Sequence, residues 1–380
     1  MRPRRSRRWS SPRACGGSRS TRPTPTATPG PRPAAYSGSP RRPTAGLEAA
    51  MRSWLLLVVL AVAPLVAQEA ETYRVEAGPA LTATLELDWH DTARGRDVPV
   101  RVWYPVLAPG AAAEPCPVVV FSHGLGGSRY SYAVWGSHWA SWGYVVVMVQ
   151  HLGSDDAIWR DAGGPAQAYA ALRRAAMQPA NLIARPYDVA FALDQLAVLN
   201  ENAGPLRGRI DQERVGLAGH SFGAYTTLAG VGLRLPALAA AMGPVDERPR
   251  AAIAMSSPHF PRGDFSAVAV PVLHLTGELD ESPIGGTGAD QRRTAFDRIT
   301  AAGGALVDFV HADHMVFSGQ RRQGDANHDQ AIQDACRQLT TAFWDCWLRD
   351  DEAARAWLYD GPAAAMLGAS ARLQLTAAAE

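Results

Sequence analysis

The stretch Val215-Gly-Leu-Ala-Gly-His-Ser-Phe-Gly-Ala-Tyr225 decides the fold of this chain. A short apolar run leads into Gly219-His-Ser-Phe-Gly223, and a helix-like segment follows. A serine on so tight a strand-to-helix turn needs a glycine two residues before it and two residues after it. A β-carbon at either position would collide with the adjoining strand or helix. The turn therefore predicts that Ser221 presents its hydroxyl as a nucleophile at the end of a sheet.

Short, almost continuous apolar runs alternate with helix-like segments along most of the chain. The runs are 117–121, 144–149, 215–218, 251–255, 270–275 and 306–310, and the helix-like segments are 129–141, 181–200, 222–233, 290–302 and 329–349. Such runs are typical of parallel strands covered on both faces. Two earlier stretches, 81–87 and 98–104, alternate in period two, as antiparallel strands do. The pattern predicts a doubly wound, mostly parallel α/β sheet with antiparallel N-terminal strands.

The first 67 residues are expected to lie outside the folded domain. Residues 1–50 predict a disordered basic leader, because they hold too few large apolar side chains to offset chain entropy. Residues 51–67 combine an early arginine, a short apolar run and small residues, as a secretory signal peptide does. We therefore expect translation to start at Met51, with a genuine basic extension as the alternative. Export to the periplasm or the extracellular space would follow.

One catalytic domain is expected over residues 72–360, followed by an alanine-rich tail over 361–380. Within it, residues 151–180 form a Gly/Ala/Asp-rich connection that is a candidate cover for the site. Past the signal peptide, the sequence predicts no integral membrane segment in the mature protein.

The formal net charge of +1 conceals an acidic domain. Of 37 basic and 36 acidic residues, eleven arginines and one glutamate lie in residues 1–50, so the remainder carries a net charge of −9. This balance argues against nucleic acid as a partner. Cys336 and Cys346 fall in one helix-like segment, where ten residues span about 15 Å, so we expect no disulfide between them.

Two further motifs are candidates for the rest of a serine hydrolase site. Phe121-Ser-His-Gly-Leu-Gly-Gly127 follows the first parallel run, where a backbone amide can meet the amide of the residue after the nucleophile. The predicted oxyanion donors are the amides of Leu125 and Phe222. We interpret His123 as structural, holding this loop.

The acid and the base are expected after later strands. Leu275-Thr-Gly-Glu-Leu-Asp-Glu281 offers Glu278, Asp280 and Glu281, and the turn geometry favours Asp280. After the next strand come His311 and His314, of which we favour His314. A serine hydroxyl needs an imidazole to accept its proton, and an aspartate fixes the imidazole tautomer.

Ser221, Asp280 and His314 occur in the order that α/β-hydrolases use. No metal site or organic cofactor is predicted, because paired-cysteine zinc spacing is absent and the two histidines lack a third ligand nearby. Four side chains are candidates to line a substrate pocket together with the oxyanion residues: Tyr130, Trp159, His259 and Met315.

The chain resembles the platelet-activating factor acetylhydrolase and predicted dienelactone hydrolase-like branch of the α/β-hydrolases. The resemblance runs from about residue 98 to 348 and rests on segments 118–127, 130–132, 142–151, 185–194 and 219–223. It implies ester hydrolysis through an acyl-enzyme, on short acyl chains or oxidised lipids, and it supports the roles given to Ser221, Phe222 and Leu125. A serine nucleophile argues against true dienelactone hydrolase activity, which uses a cysteine.

The chain departs from the animal acetylhydrolases in one respect. There the acid follows the strand after the nucleophile's helix, whereas here that strand ends in Met255-Ser-Ser257 without a carboxylate. Asp280, one strand later, resembles the placement in bacterial polyester hydrolases and cutinase-like enzymes. We therefore expect an exported serine esterase acting on small-acyl or lipid-like esters. A polyester hydrolase, a serine peptidase and an inactive hydrolase-fold binding protein are the alternatives.

Overall fold

The computed structural model describes residues 72–106, 114–282, 284–301 and 303–376. The predicted leader and signal peptide lie outside the described residues. None of the helices in the described ranges is both long and apolar enough to cross a bilayer.

Nine strands form one sheet in the order β1-β2-β4-β3-β5-β6-β7-β8-β9. Strands β3 to β8 run parallel to one another, whereas β1, β2 and β9 are joined by antiparallel pairing. The strands are β1 (Thr82–Asp91), β2 (Arg96–Pro105), β3 (Cys116–Ser122), β4 (Val145–Val149), β5 (Ile210–His220), β6 (Pro249–Met255), β7 (Val272–Leu279), β8 (Ala305–Asp313) and β9 (Ala371–Leu375). The mostly parallel α/β sheet with antiparallel N-terminal strands, predicted from the alternating runs, is confirmed.

Helices cover both faces of this sheet. They are α1 (Ala133–Ser141), α2 (Ala157–Arg160), α3 (Pro165–Met177), α4 (Pro179–Glu201), α5 (Phe222–Gly230), α6 (Thr294–Arg298), α7 (Ala326–Leu348), α8 (Glu352–Tyr359) and α9 (Pro362–Leu367). Three short 3₁₀ helices lie at Ala239–Ala241, Ala289–Arg293 and Val316–Ser318.

The continuous apolar runs fill two separate cores because alternate side chains of a strand point to opposite faces. In β3, Val118 and Val120 pack with helices α4 and α5, whereas Val119 and Phe121 pack with α1 and α7. The parallel strands therefore need apolar residues at nearly every position. This double coverage leaves the carboxyl ends of the strands as the place for polar chemistry.

Three expectations for secondary structure need correction. The 151–180 connection forms helices α2 and α3, because Pro165 and the alanine-rich stretch behind it suit a helix. The 290–302 helix is reduced to a 3₁₀ turn and the short α6, since the Thr294 hydroxyl bonds the Gln291 carbonyl at 2.7 Å. The alanine-rich tail contributes α9 and strand β9, so the folded domain extends beyond residue 360.

A buried carboxylate in helix α4 joins this helix to the N-terminal β1–β2 hairpin. Asp188 in α4 is fully buried and receives Arg94 Nη1 at 2.8 Å, Arg96 Nε at 2.8 Å and His151 Nδ1 at 3.0 Å. The other nitrogen of His151 lies 3.1 Å from the Ser122 hydroxyl at the end of β3. Burial opposes ionisation of Asp188, but these hydrogen bonds outweigh it and hold the pKa of its carboxyl below the ordinary value.

We predict that Asp188→Asn lowers the free energy of unfolding by about 3–5 kcal/mol, because two guanidinium groups lose their shared buried counter-charge. The folded-state pKa is the lower one, so the carboxylate stabilises the fold above its ordinary pKa of 3.8 and loses this effect as pH falls. Urea unfolding at pH 7, 4 and 3 would measure a gap between wild type and variant that narrows below pH 4. A gap that is small at pH 7, or constant with pH, would contradict this account.

Candidate active site

The turn between β5 and α5 holds Ser221 in a backbone conformation that side chains rarely adopt, with φ 57° and ψ −118°. A β-carbon on Gly219 would lie 2.3 Å from the Gly223 carbonyl oxygen, and one on Gly223 would lie 1.8 Å from that of Ser122. The Ser221 amide donates to the Met255 carbonyl at 2.8 Å, which anchors the turn to β6. The glycine requirement inferred from the sequence thus has a steric cause in the packed turn.

A continuous chain of hydrogen bonds leads from this serine to a buried carboxylate. Ser221 Oγ lies 2.9 Å from His314 Nε2, and His314 Nδ1 lies 2.7 Å from Asp280 Oδ1. Asp280 Oδ2 accepts a further hydrogen bond from Thr276 Oγ1 at 3.0 Å. The structure therefore brings together the serine, histidine and aspartate that the sequence singles out, in the arrangement in which an imidazole can take the hydroxyl proton.

Asp280 is fully buried, so its charge has to be compensated by neighbours. Burial opposes ionisation, but the hydrogen bond from His314 and the positive charge of Arg292 outweigh it and hold the pKa of the Asp280 carboxyl below its usual value. The Arg292 guanidinium lies 3.1 Å from Asp280 Oδ1. The aspartate is therefore held in its charged form.

The other candidates for acid and base lie elsewhere. Glu278 and Glu281 are exposed, and Glu278 accepts from the backbone amide of His311 at 3.2 Å. The His311 ring is exposed and its nearest aromatic contact is His328, with ring centroids 6.3 Å apart. None of these three residues has a hydrogen bond to Ser221 among the contacts of the described residues.

Two backbone amides, one in the oxyanion loop and one directly after the serine, are available to bind a substrate oxygen. The amides of Leu125 and Phe222 have no acceptor among the residues that the structure describes, whereas the neighbouring amides in the same loop are bonded. Gly126 donates to the Ser154 carbonyl at 2.9 Å, and Gly124 donates to the Tyr132 hydroxyl at 3.1 Å. Unpaired amides at this place are what an oxyanion hole requires before substrate arrives.

A second hydrogen-bonded path connects the oxyanion loop to the backbone of the histidine. The Tyr132 hydroxyl donates to His220 Nδ1 at 2.8 Å, and His220 Nε2 donates to the His314 carbonyl at 2.8 Å. Burial, together with the nearby His314, lowers the pKa of His220 to about 3, so this ring stays neutral and can accept and donate at once. Tyr132 itself has a left-handed backbone, with φ 62°.

A buried arginine fixes the oxyanion loop through hydrogen bonds. Arg185 in α4 donates to the His123 carbonyl, to Ser154 Oγ at 2.8 Å and to Thr226 Oγ1 at 2.7 Å. Its guanidinium lies 4.5 Å from the centre of the Phe222 ring. Burial lowers the pKa of Arg185 to about 9, and the group remains charged at neutral pH. One side chain therefore contacts both parts of the chain that carry the free amides.

His123 is buried, and its Nε2 accepts from the His151 amide at 3.0 Å. Its Nδ1 lies 2.6 Å from the Gly124 carbonyl, and burial next to Arg185 holds the pKa of the ring well below the usual value. A buried neutral ring that bonds backbone on both sides fits the structural interpretation made from the sequence.

The four pocket candidates have different surroundings. Trp159 Nε1 donates to the Gly126 carbonyl at 2.7 Å, so this half-exposed ring lies against the oxyanion loop. Met315 is exposed directly after His314. His259 instead bonds Thr294 Oγ1 at 2.8 Å.

Tyr130 is directed towards strand β1 rather than towards the serine. Its exposed hydroxyl donates to Glu86 at 2.9 Å, and Arg101 and Arg129 lie by its ring. The tyrosine that reaches the oxyanion loop is Tyr132, two residues later. The sequence motif contained both, and the one chosen from it lies outside the hydrogen-bonded site.

Helices α2 and α3 cover the oxyanion loop. Gly127 forms a β-bridge with Asp155. Gly126 is crowded by this segment, since a β-carbon on it would lie 2.8 Å from the Leu172 side chain and 3.0 Å from that of Trp159. We call residues 151–177 the cover segment. Its attachment to the oxyanion loop supports the expectation that this connection covers the site.

Comparison with known proteins agrees with this fold. A family model described as "Platelet-activating factor acetylhydrolase, isoform II" matches residues 97–161, which include the oxyanion loop but not Ser221, Asp280 or His314. Platelet-activating factor acetylhydrolase from Cavia porcellus is 25% identical over 199 residues, covering 46% of this chain and 43% of that protein. The protein of that name from Bos taurus is 25% identical over 197 residues, covering 45% and 42%.

The sheet and its flanking helices define the fold of the chain as that of an α/β-hydrolase. The comparisons confirm the resemblance to the platelet-activating factor acetylhydrolase branch that its motifs show. The alignments span less than half of the length of the curated relatives.

Tyr132→Phe is predicted to lower kcat about 10- to 100-fold with little change in KM, because the Gly124 amide and His220 Nδ1 both lose a buried partner worth about 1–3 kcal/mol. Ester hydrolysis kinetics with a chromogenic substrate would measure this. Tyr130→Phe is the matched control, since it removes an exposed hydroxyl from the same loop and is expected to keep wild-type kinetics. Equal effects of the two substitutions would argue against the role of the buried path.

Proposed function

We propose that this protein is a secreted serine carboxylic-ester hydrolase that acts through an acyl-enzyme on small-acyl or lipid-like esters. The observation that carries the proposal is the unbroken path from Ser221 Oγ through His314 to Asp280, with bonds of 2.9 and 2.7 Å, beside two amides without acceptors in the described part of the chain. The similarity to acetylhydrolases adds support for esters as the substrate class.

In the proposed mechanism, His314 Nε2 takes the hydroxyl proton as Ser221 Oγ bonds to the ester carbonyl carbon. The carbonyl oxygen becomes an oxyanion, which the amides of Leu125 and Phe222 stabilise. Each such donor is worth about 3 kcal/mol. The tetrahedral intermediate then expels the alcohol, which receives the proton from His314, and an acyl-serine remains. Water, deprotonated by the same imidazole, releases the acid and restores the serine.

The side chains near the oxyanion loop favour an apolar or small acyl group. Trp159, Leu172 and Met315 present apolar surface beside the oxyanion loop or directly after His314. The net charge of −9 past residue 50 also disfavours anionic ligands. A neutral ester is the chemistry that this edge of the sheet fits best.

Export is part of the proposal and rests on the composition of residues 51–67. N-terminal sequencing of the mature protein tests it, and a start near Gln68 or Glu71 is the expected result. A mature chain that retains residues 51–67 would argue against export by this route.

The substrate class is tested by a panel that includes p-nitrophenyl esters of increasing acyl length, a peptide amide series and polyester film. We expect the highest kcat/KM for short acyl esters and no amide cleavage. Preferred release of products from the film would favour the polyester hydrolase alternative, which the position of Asp280 after β7 supports. Labelling by a fluorophosphonate probe reports the serine independently of any ester.

The assignment of roles predicts that Ser221→Ala reduces ester turnover at least about 10⁴-fold and abolishes fluorophosphonate labelling. Asp280→Asn and His314→Ala should each be severe, because the aspartate orients the ring and the ring accepts the proton. Glu278→Gln and His311→Ala are matched controls from the same two loops and should be mild. The measurements are kcat/KM and labelling, with circular dichroism to verify folding.

If Glu278→Gln were severe and Asp280→Asn mild, the acid would have to be reassigned. The same comparison of His311→Ala with His314→Ala decides the base. Retained labelling in a folded Ser221→Ala protein would remove the basis of the proposed mechanism.

A further inference from the structure

Arg292 is a buried arginine that contacts both Asp280 and His314. It belongs to the 3₁₀ helix Ala289–Arg293 and is 2% exposed. Nε lies 3.0 Å from the Asp280 carbonyl oxygen and 3.1 Å from Asp280 Oδ1, and Nη2 lies 3.2 Å from His314 Nδ1. Nη1 donates to the carbonyls of Ser256 at 2.9 Å and Ser257 at 3.1 Å. The guanidinium is thus fixed by the ends of two strands.

The contact between Arg292 and His314 is a contact between two donors. When Nδ1 carries its proton towards Asp280, the facing nitrogen Nη2 also carries hydrogens, so these two nitrogens do not bond each other. Asp280 Oδ1 lies 2.7 Å from His314 Nδ1 and forms an ion pair with Arg292 Nε at 3.1 Å. In the resting state the carboxylate and the guanidinium cancel each other's charge. When His314 takes a proton, the buried group carries a net positive charge. Arg292 Nη2 thus lies 3.2 Å from the ring nitrogen that faces the same carboxylate.

The other groups around His314 do not neutralise the Asp280 carboxylate. His220 at the end of β5 has its ring centroid 4.7 Å from that of His314 and stays neutral. Asp313 at the end of β8 accepts from the Met315 and Val316 amides and lies 3.7 Å from Arg322. Apart from Arg292, the charged or titratable side chains that contact His314 or its loop within the described residues include Asp280, His220, Asp313, Arg322 and Glu278.

We propose that Arg292 is a positioning residue: by contacting Asp280, His314 and the carbonyls at the end of β6 at once, it fixes the Asp280 carboxylate against His314 Nδ1, so that His314 Nε2 faces Ser221. The inference rests on the proposed function, because it assigns His314 as the base. Arg292 does not reach the serine, so its effect on rate passes through the aspartate and the ring.

The test is the pH dependence of kcat/KM in Arg292→Gln, which removes the charge and keeps a polar side chain. The acid limb of this profile should lie at a higher pH than in wild type, because the Asp280 carboxyl loses the positive charge that favours its ionised form. KM on the alkaline plateau should change little. Arg293→Gln is the matched control: it removes the neighbouring exposed arginine, paired with Asp297 at 2.8 Å, and should leave the profile unchanged.

An acid limb that stays in place in folded Arg292→Gln would overturn the proposal, even if activity fell at every pH, because that result fits a purely structural side chain. If Arg292→Gln does not fold, Arg292→Lys decides. It keeps a positive charge without the guanidinium geometry, so kcat should fall while the acid limb moves by less than about 0.3 units. A limb displaced by about a full unit in Arg292→Lys contradicts the charge argument.

The same profiles can be recorded as rates of Ser221 labelling by a fluorophosphonate, which requires the nucleophile and the base but no particular ester. Absence of labelling in wild type would defeat the proposed function itself. Labelling with an acid limb that is indifferent to Arg292 would defeat only this inference. The two failures are therefore separate.

Discussion

The site depends on one steric constraint, the crowding of backbone around Ser221. Gly223 lies so close to the Ser122 carbonyl that no larger residue could occupy its position, and this contact joins the nucleophile's helix to the oxyanion loop. The strained backbone of Ser221 persists because β5, β6 and α5 all fix it. The strain sets the direction of one hydroxyl and thereby the place where every other group of the site has to lie.

Around this turn, side chains from distant parts of the chain fix the loops that carry the polar groups. Arg185 joins helix α4 to the oxyanion loop, and Arg292 joins the ends of β6 and β7. Tyr132 and His220 connect the oxyanion loop with the backbone at His314. Loops at the end of a sheet have few apolar contacts of their own, so buried hydrogen bonds are what give them a single geometry.

Much of the fold was predictable because its strands are buried on both faces and read as continuous apolar runs. The tight turn at Ser221 was equally predictable from its flanking glycines, since steric crowding excludes larger residues there. The helices of the cover segment and strand β9 were missed, because glycine- and alanine-rich sequence carries little hydrophobic periodicity.

Residues that act through long-range contacts were also missed. Nothing local marks Arg292 as buried, and Tyr130 and Tyr132 differ only in which way the turn directs them. A signal did exist for Arg185 and Asp188, which lie in one of the motifs that carried the resemblance. An arginine and an aspartate three positions apart lie on one face of a helix, which indicates polar contacts there but not their partners.

Pro186 lies inside helix α4 and has no amide hydrogen, so the Leu182 carbonyl lacks its usual helical partner. The Tyr225 hydroxyl on α5 donates to that carbonyl at 2.8 Å. The carbonyl that the proline leaves without an amide partner thus forms a hydrogen bond between the two helices. This bond helps to fix the position of α4 along α5. Arg185 immediately precedes this proline. The relative position of the two helices therefore also determines where the Arg185 guanidinium contacts the oxyanion loop.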